Sequence, residues 1–131
     1  MDYTRLDDID AVDLTRHALI EASAGTGKTY TIENLVVRLI RERSDISLEN
    51  ILVVTFTEKA TSELKVRIRE KLEQESDGAG PEAAGRLRDA LDAFDTASIT
   101  TIHGFCHTVL REFAFENGAL FESEVVDDAP I

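Results

Sequence analysis

Between the strand-like run His17-Ala18-Leu19-Ile20-Glu21 and a helical pattern lies Ala22-Ser-Ala-Gly-Thr-Gly-Lys-Thr29, the stretch that most constrains this chain. The residues after it, Ile32, Leu35, Val36, Leu39 and Ile40, recur at spacings of three and four and predict a helix with one apolar face. The run before it reads as a strand. Strand, small-residue loop and Lys-Thr at a helix start is the order a phosphate-binding loop requires. Gly25 and Gly27 lack a Cβ, so the backbone can approach an anion closely, and successive N–H groups can form a nest at the positive end of the helix dipole. Lys28 can reach β- and γ-phosphate oxygens, and the Thr29 hydroxyl can ligate Mg²⁺. Ala22 stands where the strict pattern has Gly, and it is small enough for the turn. The competing reading is a glycine-containing surface loop before an ordinary helix.

At 131 residues the chain is one domain, long enough for a real core. Its apolar fraction is 43% with only 6% aromatic and no Trp, which suits an α/β core of Leu, Ile, Val and Ala. No apolar run approaches the roughly 20 residues that span a bilayer, so no membrane association is expected. One cysteine, Cys106, leaves no internal disulfide and fits a reducing, cytoplasmic setting. The net charge of −12 argues against tight, indiscriminate nucleic-acid binding. The charge is uneven, though: positions 28–72 carry nine basic and seven acidic residues, and the flanks are strongly acidic.

The elements alternate. An acidic leader, 1–16, precedes the first strand and the loop-helix unit. Ile51-Leu52-Val53-Val54 shows no alternation and reads as a strand buried on both faces of a parallel sheet. A helix with Ala60, Leu64, Ile68 and Leu72 as its stripe follows. Residues 76–81, Ser-Asp-Gly-Ala-Gly-Pro, break the chain, and Pro81 suits the first turn of another helix, striped by Ala84, Leu87, Leu91 and Phe94. Positions 97–102 read as a third strand, and 104–115 as a helix turning Phe105, Val109 and Phe113 inward. The tail, 116–131, is acidic. The pattern predicts an α/β fold in three layers, with a parallel sheet flanked by helices.

Ligands gather at the carboxyl ends of parallel strands, and each expected strand here ends in a polar motif. Leu19-Ile-Glu-Ala-Ser-Ala-Gly-Thr-Gly-Lys-Thr29, Val54-Thr-Phe-Thr-Glu-Lys-Ala60 and Thr101-Ile-His-Gly-Phe-Cys106, in that order, resemble the start of superfamily 1 helicases of the UvrD/Rep type. They resemble the RecB branch in particular, with its exodeoxyribonuclease V-type nuclease. The likeness continues through Phe113-Ala-Phe-Glu-Asn-Gly-Ala-Leu-Phe121.

The resemblance implies a partial P-loop NTPase (RecA-like) motor domain over 17–115, with the tail opening a further subdomain. It implies ATP and Mg²⁺ as cofactors. Ala22, Ser23, Ala24, Gly25, Thr26, Gly27, Lys28, Thr29 and Tyr30 would line the nucleotide, Lys28 and Thr29 would act on its phosphates, and Thr29 would hold the metal. It places Thr55, Phe56, Thr57, Lys59, Thr101 and His103 along single-stranded DNA. Stacking on Phe56 and hydroxyl contacts to phosphate tolerate any sequence. On the residues alone, Phe56 could equally be a strand-end aromatic in the core, and His103 a structural histidine. His103, Cys106 and His107 share helical spacing, but zinc needs about four ligands and no second cluster exists.

Phosphoryl transfer in P-loop proteins also needs an acid for Mg²⁺. Val125-Val126-Asp127-Asp128 is the one candidate in the sequence, and its apolar run is too short to be a strand ending in such an acid. The chain therefore reads as an N-terminal portion of an ATP-dependent DNA helicase–exonuclease of double-strand-break repair and recombination, with RecC-like and RecD-like subunits as possible partners. Hydrolysis and unwinding by this portion alone are not expected. A small P-loop kinase and a non-catalytic nucleotide- or DNA-binding relic are the alternatives.

Overall fold

The computed structural model describes residues 9–21 and 28–114, and its longest helix starts on one hydroxyl. Thr57 is extended, and its Oγ1 accepts the Ala60 amide at 3.1 Å, capping α2, Glu58–Gly78. Leu64, Ile68 and Leu72 recur every four residues on one face and are buried, as the spacing predicts. Ala60 is only half-buried, and Thr61 takes the buried end of that stripe. α2 runs into the expected breaker as far as Gly78, and Pro81 then opens α3, Pro81–Asp92, at its first position. Ala84, Leu87 and Ala90 of α3 are buried, Leu91 lies at the core's margin, and Phe94 closes the core from a 3-10 turn, Phe94–Thr96.

The loop-helix unit supplies α1, Lys28–Glu42. Its buried residues are Glu33, Val36, Val37 and Ile40, so the inward face centres on Val37 rather than on Leu35 and Leu39. α1 is apolar over a wide arc, and packing against both α2 and α3 selects which part turns in. Its last carbonyls are closed from outside: the Arg86 guanidinium of α3 donates to Ile40 O at 3.1 Å and to Arg41 O. Nearby, partial burial works to lower the pKa of Arg41. Hydrogen bonding and charge attraction from the Glu75 and Glu42 carboxylates together outweigh that and raise it above its ordinary value.

The sheet has two parallel strands among the described residues, β1, Leu52–Thr55, and β2, Ser98–Thr101, paired from Leu52↔Ser98 to Thr55↔Thr101. Val53 and Ile99 point into the helical core. The opposite face is not closed, contrary to the expectation for 51–54: Leu52 is 48% and Val54 39% exposed. α4, Ile102–Glu112, touches this side but buries none of its own residues. Phe105 and Phe113, expected inward, are partly exposed, and Val109 is half-buried beside a cleft of about 430 Å³ lined by Leu52, Ser98, Thr100 and Phe105.

The expected first strand is also corrected. Positions 17–21 carry no ladder, and Leu19 is 73% exposed. A short strand-like run becomes a strand only where a neighbouring edge takes its backbone hydrogen bonds, and no described residue does so here. The architecture is thus a helix-rich α/β unit on a small parallel sheet. No described helix is long and apolar enough to cross a membrane.

Candidate functional site

Lys28 is the first residue of α1, exposed, and Thr29 beside it is half-buried. The first turn of α1 holds no acidic residue, so no carboxylate of that turn competes for an anion at the positive end of the helix dipole. Ala22, Ser23, Ala24, Gly25, Thr26 and Gly27 lie outside the described residues. One turn on, Tyr30 is half-exposed, and the Asn34 amide donates to its carbonyl at 2.7 Å. Tyr30, Asn34, Arg38 and Asp10 border a polar cleft of about 200 Å³. Arg38 pins the preceding segment to this place by donating to Ile9 O at 3.2 Å and Val12 O at 2.6 Å.

The second cluster arises from the register. Because Thr55 pairs with Thr101, the residues that follow each strand emerge at the same end of the sheet. After β1, Phe56 projects from the turn with 87% of its surface exposed, so it is no core aromatic. Lys59 is exposed as well, within 3.9 Å of Glu63. Thr57 is occupied as the cap of α2, and Thr55 Oγ1 lies 2.6 Å from Thr61 Oγ1. After β2, Thr101 is 5% exposed, and its Oγ1 accepts the Gly104 amide at 3.0 Å, capping α4. His103 is exposed in that first turn. A Cβ on Gly104 would run into the Thr100 hydroxyl, so the glycine lets α4 start tight against β2.

Two further residues join this cluster, Thr61 just outside the quoted motifs and Glu58 inside one of them without an expected role. Thr61 is a buried polar group under the turn, readable only as a hydroxyl standing where α2's apolar stripe should continue. Glu58, in the first turn of α2, lies 3.5 Å from the Thr101 hydroxyl across the two motifs. His103, Cys106 and His107 share α4, and no group of three His, Cys, Asp or Glu suited to a metal occurs among the described residues. The tail with Val125 to Asp128 lies outside the described residues.

A lysine-led helix start, together with two parallel strands whose following turns emerge at one end and display an aromatic, is consistent with part of a P-loop domain of the UvrD kind. The family model for the UvrD/REP helicase N-terminal domain matches residues 7–129, and the chain belongs to that family. It is 39% identical to the RecBCD enzyme subunit RecB of Haemophilus influenzae, over 88% of this chain and 12% of that protein. Against the RecB subunit of Escherichia coli K12 the identity is 41%, over 84% of this chain and 12% of the relative. An ATP-dependent helicase/nuclease subunit from Bacillus mycoides is 36% identical over 86% of this chain and 10% of its own length. The chain therefore spans about 12% of the RecB relatives it matches.

Proposed function

We propose that this chain is the ATP-binding N-terminal portion of a RecB-like DNA helicase–nuclease acting in double-strand-break repair and recombination. What carries the reading is the Thr55↔Thr101 register together with the near-complete exposure of Phe56. A strand-end aromatic left in solvent loses the burial of its ring, and base stacking is the chemistry that recovers it on single-stranded DNA. Lys59 and His103 flank it as phosphate partners, Thr55 and Thr57 shape the turn, and Thr101 contributes through the α4 start that carries His103. ATP sits on Ala22 to Tyr30, its phosphates on Lys28 and the α1 amides. The acid-free first turn and the hydroxyl-bearing Thr29 within it fit a metal-bound triphosphate. Mg²⁺ on Thr29 would neutralise phosphate charge. Binding belongs to these residues. Hydrolysis, unwinding, the cytoplasmic setting and RecC-like or RecD-like partners belong to the longer protein that the relatives resemble.

Calorimetry tests the nucleotide half. ATP with Mg²⁺ should bind the chain, and Lys28→Ala should weaken that binding at least tenfold; equal affinity removes Lys28 from the phosphates. Anisotropy with labelled oligothymidine tests the other half. Binding should be weak, fade steeply with salt and fall severalfold in Phe56→Ala.

A further inference from the structure

We propose that Thr61 is a positioning residue that holds Phe56 in its displayed geometry, an inference that rests on the DNA-binding reading of Phe56. Thr61 is only 4% exposed, yet its hydroxyl is fully engaged. It lies 2.6 Å from Thr55 Oγ1 and 3.1 Å from Thr57 O, while Thr55 Oγ1 is itself 3.2 Å from Thr57 O. Each hydroxyl has a single proton, and whichever of the two donates to the other, the pair closes on the Thr57 carbonyl. The residues on both sides of Phe56 are therefore tied to one buried group in α2. The ring between them stands in solvent, and no buried neighbours hold the turn from its own side.

A threonine that merely satisfied its hydroxyl would bond the carbonyl four residues back and nothing more. The short second bond to the end of β1 goes beyond that. It joins strand end, turn and helix at one point. Cap and carbonyl act together there, since Thr57 also accepts the Ala60 amide through its side chain. Loss of the Thr61 hydroxyl frees the turn, and the ring then samples orientations that cannot stack.

The decisive variant is Thr61→Val, which keeps the shape and removes the hydroxyl. Its oligothymidine affinity should fall about fivefold, the size of one hydrogen bond. Thr61→Ser should restore it. In a Phe56→Ala background, Thr61→Val should change affinity by less than about twofold. An equal loss in both backgrounds marks a purely structural role and overturns the proposal, as does wild-type affinity in Thr61→Val. Hydrogen exchange gives a readout independent of DNA: the Ala60 amide should exchange faster in Thr61→Val while the Val53 amide does not. Unchanged Ala60 exchange overturns the proposal whatever the DNA result. Absence of oligothymidine binding by the wild-type chain defeats the DNA reading instead, and the exchange measurement then decides the turn geometry alone.

Discussion

Glu33 is the most exposed to failure of any single residue in the core. It is buried on the inward face of α1, among Val36, Val37 and Ile40, and its Oε2 lies 2.7 Å from Arg67 Nε. The approach is off the N–H axis, so the oxygen is ion-paired but lacks a well-aligned hydrogen bond. A buried carboxylate with one imperfect partner loses much of its hydration and recovers only part of that loss through the pair. The two halves of the pair should therefore respond unequally. Arg67→Ala strands the charge and should cost about 1–3 kcal/mol, less than a fully buried pair because Arg67 itself is half-exposed. Glu33→Met removes the carboxylate and fills the same space, and should be neutral within about 1 kcal/mol. Urea denaturation of the two variants checks the order, and a larger loss for Glu33→Met would show that the pair is a net stabiliser.

At the scale of elements, α1 and α3 are joined by a cap rather than by apolar packing alone. Arg86 serves both Ile40 O and Arg41 O, carbonyls that end α1 and have no helical partner of their own. Arg86→Ala should lower stability by about 1–3 kcal/mol, and Arg86→Lys should recover only part of it, because a single ammonium does not reproduce the planar fork. Equal stability of Arg86→Lys and wild type by thermal melting would refute the two-carbonyl role. The helices were the legible elements, since stripes such as Leu64, Ile68 and Leu72 and a start such as Pro81 are encoded within a few residues. What failed depended on distant partners. The run 17–21 has the composition of a strand, yet no described edge takes it. α4 has an apolar side, but which side is buried depends on what lies across from it. For the site, the motifs marked Lys28, Phe56 and His103 directly. Thr61 and Glu58 escaped because a bond between the end of one strand and the body of a helix leaves no local pattern.

For the molecule as a whole, the decisive fact is that the sheet has one finished face among the described residues. Val53 and Ile99 join the helical core, whereas Leu52, Val54, Phe105, Leu110 and Phe113 keep much of their surface in water. An apolar side of this kind gives less folding energy than an enclosed one and promotes association. The net charge of −12 opposes that association, and salt weakens the opposition. The double variant Leu52→Thr, Val54→Thr separates a covered face from an open one, because threonine keeps the strand preference while removing apolar surface. With the face open, the pair of substitutions should cost less than about 1 kcal/mol, lower the fluorescence of a hydrophobic-patch dye, and reduce sedimenting oligomers in high salt. Were both side chains enclosed, the same change would cost about 3–5 kcal/mol through lost burial and introduced hydroxyls. A drop of that size, with dye fluorescence unchanged, would mean that in solution something covers the face, and the two-strand sheet would then be the inner part of a larger one.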